Sequence, residues 1–275
     1  MTIPLEDNAG DIVGKAQRGL GLSDSQLAER AAVVADRVKD VRDGKFDDET
    51  LRRIAPVLGL DAASLLKLAN GNWQPEAIEP IDGLAQINTT YGDMTVNAYL
   101  LWDPASRAAV VFDTGADCSE ILARIKQQNL TVELILLTHS HPDHIEDLAK
   151  LQSSTSAPTY ISAKESAPRA ESIDEGKRFE CGALRIEARL TSGHSRGGMT
   201  FFVEGLSRPI AIVGDSLFAA SMGGGAVSYT DALENNRQKI LTLPEETIVC
   251  PGHGPLTTVA KERRENPFFA GKFSS

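Results

Sequence analysis

The sequence predicts an α/β protein whose sheets are preceded by a small all-α domain. Residues 1–71 carry only helix signals, whereas short apolar runs separated by polar turns begin at about residue 81. Between them, residues 72–80 contain Pro75 and Pro80 and predict a linker. The expected organisation is therefore a helical domain at 1–71, a linker at 72–80 and a catalytic domain at 81–275.

Helix-capping residues support the all-α assignment of the first segment. Ser23 and Gln26 form an S-x-x-Q capping box in front of an apolar run. Asp47 or Asp48 stands where it could cap the next helix, and Asp61 could cap another. We therefore expect several short helices before residue 71.

Buried strands are predicted after residue 81 because the apolar runs there are short and rich in β-branched residues. A helical stretch, SEILARIKQQ, separates two of them. The runs are VNAYLLW, AAVVFD, VELILLTH, LRIEARL, MTFFVE, PIAIVGD and ETIVC.

The composition excludes several functional classes. The net charge is −10, which disfavours generic binding to nucleic acid or anionic membranes. The N-terminus lacks the basic and apolar regions of a signal peptide, and no run of 18 apolar residues predicts a membrane span. The cysteines Cys118, Cys181 and Cys250 are odd in number and far apart, so we expect reduced thiols and a cytoplasmic location.

The chain has five histidines, and three of them stand within THSHPDH, residues 138–144. This heptapeptide follows directly on a predicted buried strand. His139 and His141 are two residues apart, so an extended backbone can point both the same way. Asp143 and His144 follow on the turn into the next helix. Imidazole and carboxylate groups at this density predict a metal site.

The remaining polar candidates also stand at predicted strand ends. His194 lies in the glycine-flanked loop TSGHSRGG, Asp215 follows the strand PIAIV, and His253 follows the strand ETIVC. Glycines beside these residues allow close approach of the backbone to a ligand. All five histidines are therefore predicted to lie in loops after or between strands.

This combination of motifs resembles the metallo-β-lactamase fold superfamily over residues 81–270 or so. The resemblance implies a four-layer αβ/βα sandwich with a site for two divalent metal ions. Zinc is the default ion, and manganese or iron suits the same ligands. By position, the implied ligands are His139, His141 and His194 for one metal, Asp143, His144 and His253 for the second, and Asp215 as a bridge.

Two metal ions about 3.5 Å apart can share a water molecule and make it a hydroxide nucleophile near neutral pH. No serine or cysteine nucleophile is then required. Asp143 is the candidate catalytic residue in addition to being a ligand, and Asp113 in VVFDTG is expected to support a ligand from behind.

Within the superfamily, the motifs GDSLF and PGHGPLTTVAKERRENPFF resemble those of glyoxalase II and its short relatives. The resemblance implies hydrolysis of thioesters of the S-lactoylglutathione type. The sequence departs from that pattern after the metal motif, at Ile145–Asp147, and after GDSLF, where SMGGGAVSYTD follows. Because these departures lie near the expected substrate entrance, they bear on the substrate. Arg196 and Tyr229 are the candidate substrate contacts.

Other activities on the same fold stay open at this point. A lactonase would use the same two metals, whereas a persulfide dioxygenase of this superfamily would use a single iron. Its relatives usually end in NPR, in contrast to Phe268 here. A small-molecule substrate is expected in each case.

A regulator of transcription is the alternative from another class. Residues 18–68 resemble a Cro/C1-type helix-turn-helix, with ADRVKDVR at 35–42 as the recognition helix. However, residues 1–70 contain 10 basic and 12 acidic residues, a net charge of −2, whereas phosphate contact needs a basic face. We therefore expect this domain to serve in packing or in a homodimer contact, without binding DNA.

Overall fold

The computed structural model describes residues 3–273, and five helices precede its first strand. Three predicted N-cap residues are confirmed: Ser23, Asp47 and Asp61 each accept a hydrogen bond from a backbone N–H of the helix that follows. The helices are α1 Ala9–Gly19, α2 Asp24–Ala31, α3 Ala35–Arg42, α4 Asp48–Val57 and α5 Ala62–Ala69.

The first sheet has six strands in sequential order. The first three strands pair antiparallel, and the remaining pairs are parallel. Its strands are β1 Leu84–Tyr91, β2 Met94–Trp102, β3 Ala108–Phe112, β4 Thr131–Leu136, β5 Thr159–Ser162 and β6 Ala170–Ile173. Its helices are α6 Ser119–Gln128, α7 Pro142–Ile145 and α8 Leu148–Thr155.

The second sheet also has six strands, in the order β14-β13-β10-β9-β8-β7. They are β7 Arg178–Cys181, β8 Leu184–Leu190, β9 Met199–Glu204, β10 Ile210–Gly214, β13 Ile248–Pro251 and β14 Thr257–Thr258. A small hairpin, β11 Leu217–Phe218 and β12 Ser221–Met222, stands apart. The last helices are α9 Tyr229–Asn235, which continues as a π-helical segment Asn236–Ile240, and α10 Val259–Glu265.

Alternation along the strands divides the apolar side chains into layers. Phe112 of β3 points into the core between the sheets, where it packs on Phe201 of β9 with ring centres 5.5 Å apart. Its neighbour Val111 belongs to the cluster on the outer face of the first sheet, together with Ile121 of α6 and Leu151 of α8. Because the period of a strand is two residues, these runs are apolar on both faces. The αβ/βα sandwich is thereby confirmed.

The N-terminal helices share an apolar core with the outer face of the second sheet. Ile12 of α1 and Leu51 of α4 lie in the same buried cluster as Val249 of β13, Leu241 and Phe269. Polar contacts reinforce the junction, since the backbone N–H of Asp61 donates to the carbonyl of Pro267 at 2.7 Å. The division into domains at 72–80 stays a prediction, but no solvent layer separates the two parts at this cluster.

Residues near the predicted linker are fixed by packing. Trp73 is 3% exposed and packs with Ala219 and Ala220. The ammonium of Lys261 lies 4.8 Å from the centre of the Trp73 ring and 3.1 Å from a carboxylate oxygen of Glu265. The run Lys261, Arg263 and Arg264 predicts a solvated helix face; for Lys261, which is buried, this prediction is wrong, whereas Arg264 is exposed.

Two further expectations from composition can be compared with the structure. No helix among residues 3–273 is long and apolar enough to cross a membrane. The three cysteines are buried and unpaired.

The shared core predicts cooperative unfolding of the helices and the sandwich. Ile12→Ala in α1 and Leu241→Ala beside the second sheet each remove a fully buried side chain, so each should lower the free energy of unfolding by about 2–5 kcal/mol. Denaturant titrations followed by circular dichroism and by tryptophan fluorescence should each give one coincident transition. Arg52→Ala, at an exposed position of α4, is the matched control and should change stability by less than about 0.5 kcal/mol. A separate early transition in Ile12→Ala alone would contradict the shared core.

Candidate metal centre

The predicted ligands converge at one edge of the sandwich although they come from distant parts of the chain. They lie after β4, in α7, between β8 and β9, after β10 and after β13. The structure brings them into two groups, each with ligand atoms within 4.8 Å of one another: His139, His141, His194 and Asp215, and Asp143, His144 and His253.

The first group presents three imidazole nitrogens to a common point. The Nδ1 atom of His141 lies 3.0 Å from Nε2 of His139 and 3.0 Å from Nε2 of His194. A tetrahedral zinc ion with Zn–N bonds of about 2.1 Å would hold its ligand atoms about 3.4 Å apart. The spacing of these nitrogens therefore fits a small divalent cation.

The second group joins one carboxylate to two imidazoles. The Oδ2 atom of Asp143 lies 3.5 Å from Nε2 of His144 and 3.3 Å from Nε2 of His253. Asp143 and His144 are carried by the short helix α7, which begins with Pro142. Proline at the first position of a helix presets the backbone, so both side chains leave one tight turn.

Asp215 lies between the two groups. Its Oδ2 atom is 3.3 Å from Nε2 of His194 and 3.4 Å from Nε2 of His253, and its Oδ1 atom is 3.3 Å from Nε2 of His144. One carboxylate thus reaches histidines of both groups, which is the geometry that a bridging ligand needs.

Two buried polar atoms at this point have no hydrogen-bond partner within the described residues, Nε2 of His144 and Oδ1 of Asp215. A buried polar atom without a partner costs free energy, and most such atoms in proteins are satisfied. A cation between the two groups would satisfy both, so the residues present fit a pair of divalent ions.

Hydrogen bonds behind the ligands fix the imidazole rings. The Oδ2 atom of Asp113 lies 2.9 Å from Nδ1 of His144, and the hydroxyl of Thr138 donates to the same oxygen at 2.7 Å. Nδ1 of His253 donates to the carbonyl of Thr95 at 2.6 Å. Such partners hold the proton on Nδ1 and leave the lone pair of Nε2 free for a metal. Asp113 therefore lies behind His144, and its supporting role stays a prediction.

His194 is oriented by the backbone of the loop after β12. Its Nδ1 atom lies 3.1 Å from the carbonyl oxygen of Gly224. The contacts of Thr95 and Gly224 could not be predicted from the sequence, because a backbone carbonyl has no side-chain signal. The hydroxyl of Thr138, directly before the first ligand, could have been predicted as a supporting group.

Charges in the site oppose the effect of burial. Burial would raise the pKa of Asp215, but His144 and His253 hold it well below its ordinary value. Burial would lower the pKa of His144, but the carboxylates of Asp215 and Asp113 raise it to about 10. His139 has histidine neighbours, so burial and these neighbours together hold its pKa well below the ordinary value. The site thus keeps one carboxylate ionised at the centre of an imidazole cluster.

The motif PGHGP brings the backbone against the ligands. A side chain at Gly252 would place its Cβ atom 2.1 Å from Oδ1 of Asp215 and 2.7 Å from the His144 ring, so only glycine fits there. The later part of the longer run PGHGPLTTVAKERRENPFF contacts the loop after Asp215 and fixes it. Asn266 donates to the carbonyl of Ser221 at 2.8 Å, and Glu262 accepts from the backbone N–H of Ala220 at 3.0 Å.

The two candidate substrate contacts have different surroundings. Arg196 is exposed, two residues from His194. Tyr229 is 8% exposed in the cluster shared with the N-terminal helices, and burial raises its pKa to about 12. Its hydroxyl therefore keeps its proton at physiological pH. The substrate role of both residues stays a prediction.

The sequence matches one known protein family over more than half of its length. The sequence profile of the metallo-β-lactamase superfamily matches residues 91–253. The chain belongs to the metallo-β-lactamase superfamily. Members of this superfamily bind divalent metals, and the two groups of ligands described above lie in the region of the match or at its end.

Curated relatives include two bacterial proteins. The protein named probable metallo-hydrolase YqgX of Bacillus subtilis is 32% identical over 209 residues, which is 66% of this chain and 95% of the relative. Hydroxyacylglutathione hydrolase GloC of Haemophilus influenzae is 26% identical over 201 residues, which is 64% of this chain and 93% of the relative.

Solved structures with the same fold include the B3 metallo-β-lactamase BLEG-1, with 32% identity and a TM-score of 0.61 over 68% of this chain and 100% of that one. Another is TTHA1623 in a di-iron-bound form, with 29% identity and a TM-score of 0.56 over 66% of this chain and 100% of that one. The family match and these relatives together identify the chain as a metal-dependent hydrolase of this superfamily.

The pKa values of two ligands predict how metal affinity depends on pH. Carboxylates raise the pKa of His144 to about 10 and that of His253 to about 11 against the opposing effect of burial, so both carry protons in the metal-free protein at neutral pH. Metal binding must release these protons. Between pH 6 and pH 8, affinity for Zn²⁺ should therefore rise with pH, roughly tenfold per unit for each proton released. Competition with a chromophoric chelator at several pH values measures it; an affinity that is constant over this range would contradict the assignment.

Removal of the charge behind His144 should weaken the metal centre without unfolding the chain. Asp113 has a φ of 56°, a left-handed conformation that asparagine tolerates. Asp113→Asn should thus keep the backbone and lose the charged contact, with a 10–100-fold loss of metal affinity. Asp117→Asn, at a nearby exposed carboxylate, is the control; equal affinity in both variants would remove Asp113 from the supporting role.

Proposed function

We propose that the protein hydrolyses thioesters of the S-lactoylglutathione type with the help of two divalent ions, most simply zinc. The observation that carries the proposal is the position of Asp215, whose carboxylate reaches histidines of both ligand groups. Likeness to the hydroxyacylglutathione hydrolase GloC supports the substrate class.

His139, His141 and His194 would hold one ion, Asp143, His144 and His253 the other, and Asp215 both. Two divalent ions at such a centre activate a water molecule near neutral pH and polarise a carbonyl oxygen. The chain itself keeps Asp215 ionised, fixes the tautomers of His144, His194 and His253, and leaves the carboxylate of Asp143 at the edge of the site.

Nucleophilic catalysis by cysteine is disfavoured by the three thiols. Burial raises the pKa of Cys118 and of Cys181 to about 12, and burial also raises the pKa of Cys250. A buried protonated thiol is a poor nucleophile. Hydrolysis through activated water is therefore the reaction that the site supports best.

β-Lactam hydrolysis is a second candidate because BLEG-1 is named a B3 metallo-β-lactamase and matches over its whole length. The same assay plate can include a chromogenic cephalosporin beside the thioester. A lactonase and a persulfide dioxygenase with a single iron are the remaining alternatives on this fold. A lactone substrate on the same plate tests the first, and metal analysis separates the second, which requires one iron per chain.

DNA binding by the N-terminal helices is not part of this proposal. On α3, Arg42 pairs with Asp24 at 2.6 Å, and Arg37 lies 3.9 Å from Asp40. Basic groups already paired with acids offer little to phosphates. We propose that these helices serve in a homodimer contact through Val34, an apolar side chain that is 67% exposed. Gel filtration with light scattering tests this contact.

Hydrolysis of S-lactoylglutathione by protein of known metal content tests the proposal. We expect thiol release with about two metal ions per chain, and His139→Ala should lower kcat/KM by at least 10³-fold because the first ion is lost. Arg52→Ala is the control for folding and should keep full activity. Two bound metals without turnover of the thioester would overturn the substrate assignment.

A further inference from the structure

A cavity of about 380 Å³ opens between helix α1 and the loop that follows β12. Its volume lies in the range of small-molecule sites, about 300–1,000 Å³. Two cationic side chains stand on the helix wall, whereas the loop wall carries no charge. The cavity is lined by Lys15, Arg18, Gly19, Gly224, Gly225 and Ala226.

The walls of this cavity adjoin the metal centre at two points. On the loop side, the carbonyl of Gly224 accepts the hydrogen bond from Nδ1 of His194. On the helix side, the ammonium of Lys15 lies 5.0 Å from the centre of the Phe218 ring, which is 5.7 Å from the centre of the His253 ring. The walls of the cavity therefore contact His194 directly and reach His253 through Phe218.

Arg18 is the cation that is free to bind a ligand there. Lys15 pairs with Asp7 and donates to the carbonyl of Met222 at 2.9 Å, so its charge is compensated and its position is fixed. Arg18 is exposed, and no ion pair of its guanidinium is found within residues 3–273. Of the other acids of this segment, Glu6 lies on the side of His253, 3.9 Å from Nδ1, and Asp11 accepts a hydrogen bond from the backbone N–H of Asn8 at 2.9 Å.

The position of α1 relative to the metal centre is fixed by a tight contact. A Cβ atom at Gly19 would lie 2.2 Å from the ring of Tyr229, so the helix end packs directly on that ring. Exposed apolar side chains stand beside the lining residues, Leu20 at 46% and Val227 at 52% exposure. The mouth thus combines one free guanidinium with apolar surface, which suits an organic anion.

We propose that this cavity is a subsite for an anionic group, a carboxylate or a phosphate, on the thiol half of the substrate, with Arg18 as its binding cation. The inference rests on the proposed thioesterase function. The small acyl group would lie at the metals, so the part that extends into the cavity is the thiol half. The N-terminal helices would then contribute directly to substrate selection.

Three thioesters with one acyl group and different thiols test the subsite. S-lactoylglutathione carries carboxylates, lactoyl-coenzyme A carries phosphates, and S-lactoyl-N-acetylcysteamine is neutral. Arg18→Ala should raise KM for the preferred anionic substrate by about 10–100-fold, the usual effect of losing a charged hydrogen bond. The kcat values and the neutral substrate should be unaffected. Arg18→Lys should restore part of the affinity, and Arg52→Ala should match the wild type.

Direct binding separates failure of the subsite from failure of the proposed function. S-methylglutathione and S-methyl-coenzyme A cannot be hydrolysed, and calorimetry measures their affinity for the metal-loaded protein. If none of the thioesters is hydrolysed but Arg18→Ala still weakens one of these ligands at least tenfold, the subsite stands and the thioesterase proposal falls. Equal loss on anionic and neutral substrates, or an affinity for both ligands that is absent or unchanged by Arg18→Ala, would overturn the subsite.

Discussion

The ionised carboxylate of Asp215 is the interaction on which the rest of the site depends. A carboxylate that is 8% exposed is costly unless opposite charge or hydrogen bonds compensate it. Histidines of two ligand groups surround it, and its Oδ1 atom still lacks a hydrogen bond in the described chain. The strands β10 and β13 hold this group and His253 side by side, because they are parallel neighbours that end at the same edge. The sandwich therefore brings the buried carboxylate of Asp215 together with histidines that lie far apart in the sequence.

The helical layer over the second sheet also bears on the chemistry. Residues of α1 contact the hairpin β11–β12 through Lys15 and the ring of Tyr229 at the start of α9 through Gly19. The loop between that hairpin and α9 orients His194 through Gly224. Substitutions in the first 20 residues can therefore act on the metal centre through only one or two intervening contacts. The apolar cluster of α1 extends to Val213 and Leu217, which flank Asp215 in the sequence.

Much of this arrangement could be predicted from the sequence because its signals are local. Buried strands such as AAVVF are apolar runs, and the ligands stand directly after them. The strand Leu84–Tyr91 was not predicted, because its half-buried run LAQINTTY contains too many polar residues to form an apolar segment. The capping box of Asn8 and Asp11 at the start of α1 was not predicted either. The hydrogen bond of Lys15 to Met222 could not be predicted, since it joins positions 207 residues apart, and the same holds for the cavity that Arg18 lines together with Gly224 and Gly225.

That separation along the chain affects how the protein is made. Helices α1–α5 rest on contacts within 70 residues and can form early, whereas their apolar partners Val249 and Phe269 stand near the other end. During synthesis the helices leave the ribosome with the face that will meet the second sheet still uncovered. The hydroxyl of Ser221 can meet Asp7, and the carbonyl of Pro267 can meet Asp61, only after about 200 further residues have been synthesised. The ligand centre, which needs His253, and the cavity beside it are therefore assembled long after the helices can form.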